Sequence, residues 1–252
     1  MVTDYIKRGD FLELMRELPN GSIDMILCDL PYGVTKNKWD IPIPFSKLWK
    51  EYIRIIKPNG IIALFGQGKF FAELVKSNIE WFRYDLIWDK VSPTGFLNAR
   101  RMPLRRREQI AIFYKKLPKY NPQFTYGKPL HSRGKSYLLK DGKNQNYGTF
   151  KRKADTRAGC TEKFPTSIIT LFKNHGMPNH PTEKPVELLE YLIKTYTDEN
   201  EIVLDNCIGS GSTAVACIKT NRHYIGYELE KEYCDIAKQR ISQALAEASY
   251  AQ

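Results

Sequence analysis

The stretch VLDNCIGSGST, residues 203–213, runs from an apolar segment ending in Asp205 through Gly209 and Gly211 toward an Ala- and Val-containing helical run. A strand that ends in a carboxylate and turns through glycines into a helix N-terminus lets backbone N–H groups and a short acid approach a polar ligand. Seventeen positions beyond Gly211, Glu228 closes the next apolar segment, HYIGYE, where a carboxylate can accept hydrogen bonds from both hydroxyls of a ribose. Taken alone, two spaced glycines with a downstream acid also describe a simple tight turn. Their place in the chain is more informative, because only 41 residues follow Gly211. A nicotinamide-binding Rossmann domain opens with its glycine turn and builds its sheet afterwards. Here the sheet has to be completed by strands from the N-terminal half, so the expected class is α/β: a circularly permuted, Rossmann-like, mostly parallel sheet with helices on both faces.

Those strands are visible upstream. IDMILC (23–28) and GIIALF (60–65) are short apolar runs, the first ended by DLPYG and the second preceded by the turn signal KPNG; both read as buried parallel strands. Between them FSKLWKEYIRII (45–56) sets Leu48, Tyr52 and Ile55 at helical spacing, and KFFAELVKSN (69–78) repeats the pattern, so the first half is βαβα. From about residue 99 to 179, Gly, Pro, Asn, Lys and Tyr become frequent and helical periodicity fades, although EQIAIFY (108–114) still reads as a strand. Residues 116–178 are expected to form an irregular insertion. Order returns with PTEKPVELLEYLIKTYT (181–197), in which Thr182 reads as an N-cap and Leu188, Leu189 and Leu192 share a face. EIVLD, the glycine turn, a helix through residues 214–218, HYIGYE and a final helix over about 231–245 complete a second βαβα run. Residues 1–115 and 179–252 are therefore expected to form one domain, interrupted by the insertion.

With 252 residues the chain suffices for one full-sized α/β domain and a modest appendage. Its net charge of +11 is concentrated: residues 100–173 hold 19 Lys and Arg against 4 Asp and Glu, a balance of +15, while the remainder has 20 against 24. Such a local positive field suits a polyanion, because each neutralised phosphate releases condensed counterions. A solvated basic surface is the plainer alternative. No apolar run approaches the roughly 20 residues that cross a bilayer, and MVTDYIKRGD lacks the apolar core of a secretory signal, so a cytoplasmic protein without a membrane partner is expected. Five scattered cysteines (Cys28, Cys160, Cys207, Cys217, Cys234) without a C-x-x-C pair point to reduced thiols and no metal.

DLPYG (29–33) follows the strand ending at Cys28 and puts a carboxylate, a backbone carbonyl and an aromatic ring at the carboxyl edge of the sheet. The exocyclic amine of adenine or cytosine is a poor nucleophile because its lone pair is delocalised into the ring. If Asp29 and the carbonyl of Leu30 each accept one amine hydrogen, the nitrogen is held in place and its change toward sp³ is favoured, which is electrostatic catalysis by preorganised acceptors. Tyr32 can stack on the base and keep it aligned with an incoming methyl group. D-x-P-Y alone is also a common strand-to-turn sequence.

In order, DLPYG (29–33), FRYDLIWDK (82–90), RRREQIAIFYK (105–115), the basic insertion, HPTEKPVELL (180–189), DNCIGSGST (205–213) and YIGYELEKEY (224–233) resemble the beta-class amino-methyltransferases of DNA over nearly the whole chain. In these enzymes the catalytic tetrad precedes the target-recognition region and the glycine motif comes last. The resemblance implies a methyltransferase sheet with residues 116–178 as an inserted recognition region. It implies S-adenosylmethionine as cofactor, a catalytic pocket of Asp29, Leu30, Pro31 and Tyr32, and cofactor contacts from Asp10, Lys184, Asp205, Cys207, Gly209, Ser210, Gly211, Ser212, Thr213 and Glu228. Two positions depart from the pattern: Leu30 replaces the usual first proline, keeping the carbonyl but loosening the turn, and Cys207 stands where an aromatic ring commonly touches the methionine part.

The target amine is out of productive reach inside a stacked duplex, so the family flips the base and holds the surrounding DNA. Arg105, Arg106, Arg107, Arg133, Lys135, Lys151, Arg152 and Lys153 are expected DNA contacts, with Asn144, Gln145, Asn146 or Arg133 as readers of base edges. Asp at the head of the tetrad implies N6 of adenine, since the family's cytosine-N4 enzymes more often carry Ser; cytosine-N4 is the alternative. A glutamine or RNA methyltransferase is disfavoured by chain order, and a DNA-binding protein with a non-catalytic version of the fold is the remaining reading. The resemblance also allows a homodimer.

Overall fold

Alternation along the two most apolar strands creates two cores, because successive side chains of a strand point to opposite faces. A computed structural model of the chain describes residues 1–33, 43–131, 142–146, 148–150, 157–172 and 183–250. In chain order the elements are β1 (Tyr5–Arg8), α1 (Phe11–Leu14), β2 (Ile23–Cys28), α2 (Phe45–Ile55), β3 (Ile56–Gly66), α3 (Gly68–Ser77), β4 (Phe82–Thr94), β5 (Arg105–Phe113), β6 (Thr125–Tyr126), β7 (Gly142–Asn144), β8 (Gly148–Phe150), β9 (Glu162–Lys163), β10 (Ile168–Thr170), α4 (Val186–Tyr196), β11 (Ile202–Asp205), α5 (Ser212–Lys219), β12 (His223–Glu228) and α6 (Lys231–Tyr250). They fall into two compact units, residues 1–121 with 167–252, and residues 122–166.

The larger unit carries an eight-stranded sheet in the order β1-β12-β11-β2-β3-β5-β4-β10, in which β5 alone runs antiparallel to its neighbours. Ile26 and Cys28 of β2 and Ile62 and Leu64 of β3 face α2 and α3; Met25, Leu27, Ile61, Ala63 and Phe65 face α4 and α5. Helix α2 buries Leu48, Trp49, Tyr52 and Ile55, one stripe at helical spacing, and each such side chain contributes about 1.5–3 kcal/mol on leaving water. The alternating order of strands and helices, the mostly parallel sheet and the helices on both faces agree with the permuted α/β fold expected.

Three local features differ from the sequence reading. KPNG is not a turn between α2 and β3: it lies within β3, as an excursion between the pairs Ile23↔Ile56 and Met25↔Ile61. Gly60 is needed there, since a Cβ would lie 2.7 Å from the Ile56 side chain and 2.9 Å from the Asp24 carbonyl oxygen. Ile168–Thr170, inside the segment expected to be irregular, adds to the sheet as an edge strand parallel to β4. The last helix continues to Tyr250. In the smaller unit β6 pairs with β9 and β7 with β8, both antiparallel, and the Arg157 guanidinium lies 4.4 Å from the Phe164 ring centroid and 5.4 Å from that of Phe124. Among the described residues no helix is long and apolar enough to cross a membrane, and no cluster of three or more His, Cys, Asp or Glu could hold a metal ion. All five cysteines are unpaired.

Candidate active site

Because β1, β12, β11 and β2 are successive parallel neighbours, their carboxyl ends share one edge of the sheet, and the acids that end or follow them converge there. Asp10 follows β1, Asp29 follows β2, and Asp205 and Glu228 are the last residues of β11 and β12. One cavity is lined by all four, together with Leu30, Pro31, Tyr32, Lys184, Cys207, Gly209, Ser210, Ser212 and Thr213. The two distant sequence stretches therefore open onto the same space.

At the Asp29 end, Tyr32 Oη donates to Asp29 Oδ1 at 2.7 Å and Lys184 Nζ donates to Asp29 Oδ2. The Tyr32 ring stacks on Phe70 of α3, centroids 4.4 Å apart at 22°, so only its other face can meet a base. Lys184 Nζ also lies 3.3 Å from Glu108 Oε2 and 5.0 Å from the Phe65 ring centroid, while Lys90 Nζ lies 3.2 Å from Glu108 Oε1. Asp29, Lys184, Glu108 and Lys90 thus form an alternating, charge-neutral chain, with both lysine side chains under a tenth exposed. Burial pushes the Asp29 carboxyl above the ordinary range even though Lys184 and Tyr32 pull it back. Burial acts the same way on Glu108 but is outweighed by Lys184 and Lys90, which hold it below the usual carboxylate range. Lys184 is held firmly protonated: its burial is overcome by the two carboxylates.

At the other end, Gly209 N–H donates to Glu228 Oε2 and Glu230 N–H to Oε1, each at 2.9 Å, which fixes the Glu228 carboxylate while leaving it further acceptor capacity. Thr213 Oγ1 and the Cys207 N–H donate to Asp205 at 2.5 and 3.1 Å; burial nevertheless raises its carboxyl to about 6. Asp10 accepts from Leu12 N–H at 2.7 Å as the N-cap of α1 and keeps an exposed edge toward the cavity.

Two expected cofactor residues take different surroundings. Gly211 does not line the cavity: it starts α5 at φ 86°, and a Cβ would lie 2.9 Å from Ala237 Cβ of α6, so its lack of a side chain serves close packing. Lys184 lines the cavity but directs its charge to the Asp29 and Glu108 carboxylates. Sequence reasoning missed Arg240, whose guanidinium binds the Ser210 carbonyl oxygen at 2.8 Å, the Ser212 hydroxyl at 3.1 Å and Glu183 at 2.6 Å, tying the glycine loop to the segment before α4. Glu108 was also missed, although it is the only acid between residues 91 and 140 and sits on an apolar strand, a sign of a buried partner. Of the expected DNA contacts, Arg105, Arg106 and Arg107 are exposed on β5, with Arg106 paired through two bonds of 2.6 and 2.8 Å to Asp89. Arg133, Lys135, Lys151, Arg152, Lys153 and the N-cap Thr182 lie outside the described residues, as does the side chain of Asn144.

Residues 23–239 match the family model N6_N4_Mtase, a DNA methylase. The Type II methyltransferase M.HinfI of Haemophilus influenzae is 28% identical over 268 residues, covering 94% of this chain and 67% of that protein. The Type II methyltransferase M.BglII of Bacillus subtilis is 29% identical over 268 residues, with 94% and 68% covered. Among solved structures, the M1.HpyAVI–SAM complex superposes with a TM-score of 0.61 at 25% identity, over 94% of this chain and 98% of that one. The PvuII cytosine-N4-specific DNA methyltransferase superposes with a TM-score of 0.66 at 15% identity, over 100% and 94%, a likeness of fold.

Proposed function

This chain belongs to the N6/N4 DNA methylase family, whose members carry methyl groups from S-adenosylmethionine to DNA, and from that premise we propose that it modifies the N6 amine of a flipped adenine at a specific site, in a restriction-modification, phage or orphan setting. The observation that carries the reading is the Asp29 carboxylate, fixed by Tyr32 and Lys184 on the same cavity that ends at Glu228.

The lining fits the cofactor. Glu228 has lone pairs for the ribose hydroxyls, Gly209 presents no side chain, Asp10 stands at the adenine end, and Asp205 with Thr213 holds the methionine part. S-adenosylmethionine when bound supplies a sulfonium methyl already activated for transfer. The chain's own task is to make the amine nucleophilic. Asp29 and the Leu30 carbonyl accept hydrogen bonds from its two N–H groups; burial, by raising the Asp29 carboxyl, makes it a stronger acceptor than an ordinary carboxylate and places it to take the one proton the nitrogen sheds on gaining the methyl group. Tyr32, backed by Phe70, presents one ring face to the base. Residues 116–178 serve as the target-recognition region.

Incubating DNA with the chain and labelled S-adenosylmethionine, then digesting to nucleosides, is expected to give N6-methylated adenine. N4-methylcytosine instead would move the target to the other base, and no labelled nucleoside would remove the enzyme reading. Arg105 and Arg107 are assigned to phosphates. Replacing both with Ala is expected to reduce the slope of log binding constant against log salt by about 0.9 for each phosphate no longer neutralised; an unchanged slope would take β5 out of the interface.

A further inference from the structure

β4 and β5 run on beyond the rest of the sheet. Their pairing continues through Asp89↔Arg107 to Thr94↔Arg105, past Gly66, the last residue of β3, which pairs with Gln109. The connecting turn, residues 95–104, opens on Gly95 at φ 88° and a short 3-10 turn, Phe96–Asn98. The Ala99 N–H donates to the Phe96 carbonyl, and those of Arg101 and Met102 to the Asn98 carbonyl. The backbone of the tip is thus internally bonded while its apolar side chains face outward. Phe96 is 78% and Leu97 83% exposed, and Val91, Met102 and Leu104 are exposed on the same hairpin.

Single exposed apolar residues are ordinary, but five on one hydrogen-bonded hairpin call for a partner. The surrounding charge identifies its chemistry. Residues 91–107 contain five Arg and no acid; Arg106 is paired with Asp89 at the root, and Arg100, Arg101, Arg105 and Arg107 are exposed around the tip. Charge of one sign around an apolar tip matches stacked bases flanked by phosphates, which are uniformly anionic.

The root of the hairpin is tied to the active site through Lys184. Glu108 of β5 pairs with Lys184, which holds Asp29, and Lys90 of β4 pairs with the other oxygen of Glu108. Gln67, the residue after β3, donates from Nε2 to the Arg107 carbonyl at 2.7 Å. The tip therefore extends from the edge of the sheet that carries the catalytic carboxylate.

We infer that the 95–104 turn is a DNA wedge: Phe96 and Leu97 enter the duplex beside the target base and fill the space it leaves, while Arg100 and Arg101 hold the adjoining phosphates. The inference rests on the reading of the chain as a DNA methyltransferase and adds the surface that drives extrusion. Extruding a base loses stacking on both sides, and an apolar side chain in the gap restores part of it.

The modified position is first located by sequencing DNA methylated by the wild-type chain. A duplex with a fluorescent base analogue at that position then reports extrusion as a rise in emission. Phe96→Ala/Leu97→Ala alters two exposed side chains, so its folding and its binding of S-adenosylmethionine are expected to match wild type. Its extrusion signal and single-turnover methylation rate are expected to fall about tenfold or more, with the salt slope of DNA binding unchanged. Phe96→Trp is expected to retain both signal and rate, and Arg100→Ala/Arg101→Ala to flatten the salt slope instead. Wild-type extrusion and rate in the double Ala variant would overturn the wedge and leave the methyltransferase reading intact. So would loss of self-association in sedimentation with extrusion unchanged, since the patch would then join two copies of the chain. Failure of the wild-type chain to methylate any DNA would overturn the methyltransferase reading itself.

Discussion

Asp29→Ala is expected to lower the single-turnover rate of methyl transfer to DNA by roughly 10²–10³ while leaving the affinity for S-adenosylmethionine near the wild-type value. The size follows from removing one preorganised acceptor from the point where positive charge develops on the amine; the Leu30 carbonyl remains. Cofactor binding is spared because the groups assigned to it, Glu228, Asp205 and Asp10, are fixed by their own partners: Gly209 and Glu230, Thr213 and Cys207, and Leu12. The fold is retained, because Lys184 keeps Glu108 as a counter-ion at 3.3 Å, but that carboxylate then serves two buried lysines, so the variant is expected to unfold at a lower temperature than wild type. Rate and isotherm measured on one preparation decide the matter: a variant that transfers methyl groups at the wild-type rate would remove Asp29 from the chemistry, and one that loses cofactor binding equally would make Asp29 part of the cofactor cradle.

The groups legible in the sequence were those tied to strand ends. Asp29, Asp205 and Glu228 each close an apolar run, and parallel strands bring such ends to one edge whatever the loops between them do. The groups that were not legible depend on pairing between remote elements. Nothing local links Lys184 to Glu108, or Arg240 to Ser210, since each contact exists only after the sheet and its helices pack. Gly211 shows a subtler limit: the sequence reveals that a Cβ is forbidden, but a ligand and a neighbouring helix forbid it equally, and here the neighbour is Ala237. KPNG misled because Pro and Gly mark a change in backbone direction, and an excursion within a strand satisfies that as well as a turn does. Ile168–Thr170, three residues at the edge of a sheet, is too short to show a period.

Lys184→Gln is the substitution with the widest expected consequences, because it leaves the buried Asp29 carboxylate facing a neutral amide and Glu108 with Lys90 as its one remaining cation. Stranding charge in this way costs about 3–5 kcal/mol at neutral pH, which thermal or denaturant unfolding reads directly. The pH dependence has a definite sign. Lys184 opposes the effect of burial on Asp29 and helps hold Glu108 below the usual range, so its removal raises both carboxyls in the folded state. A carboxyl raised by folding binds more protons folded than unfolded, so stability falls as pH rises through it. The deficit of the variant against wild type is therefore expected to be largest near neutrality and to shrink toward acid. Activity moves the opposite way: the amine needs Asp29 ionised, so the acid limb of the single-turnover rate is expected to shift to higher pH in the variant, with transfer partly recovered in alkaline buffer. A residue that only held the cofactor would behave differently, weakening S-adenosylmethionine binding while leaving the acid limb where it was. The limb and the cofactor isotherm together thus separate a lysine that sets the charge of Asp29 from one that grips the methyl donor.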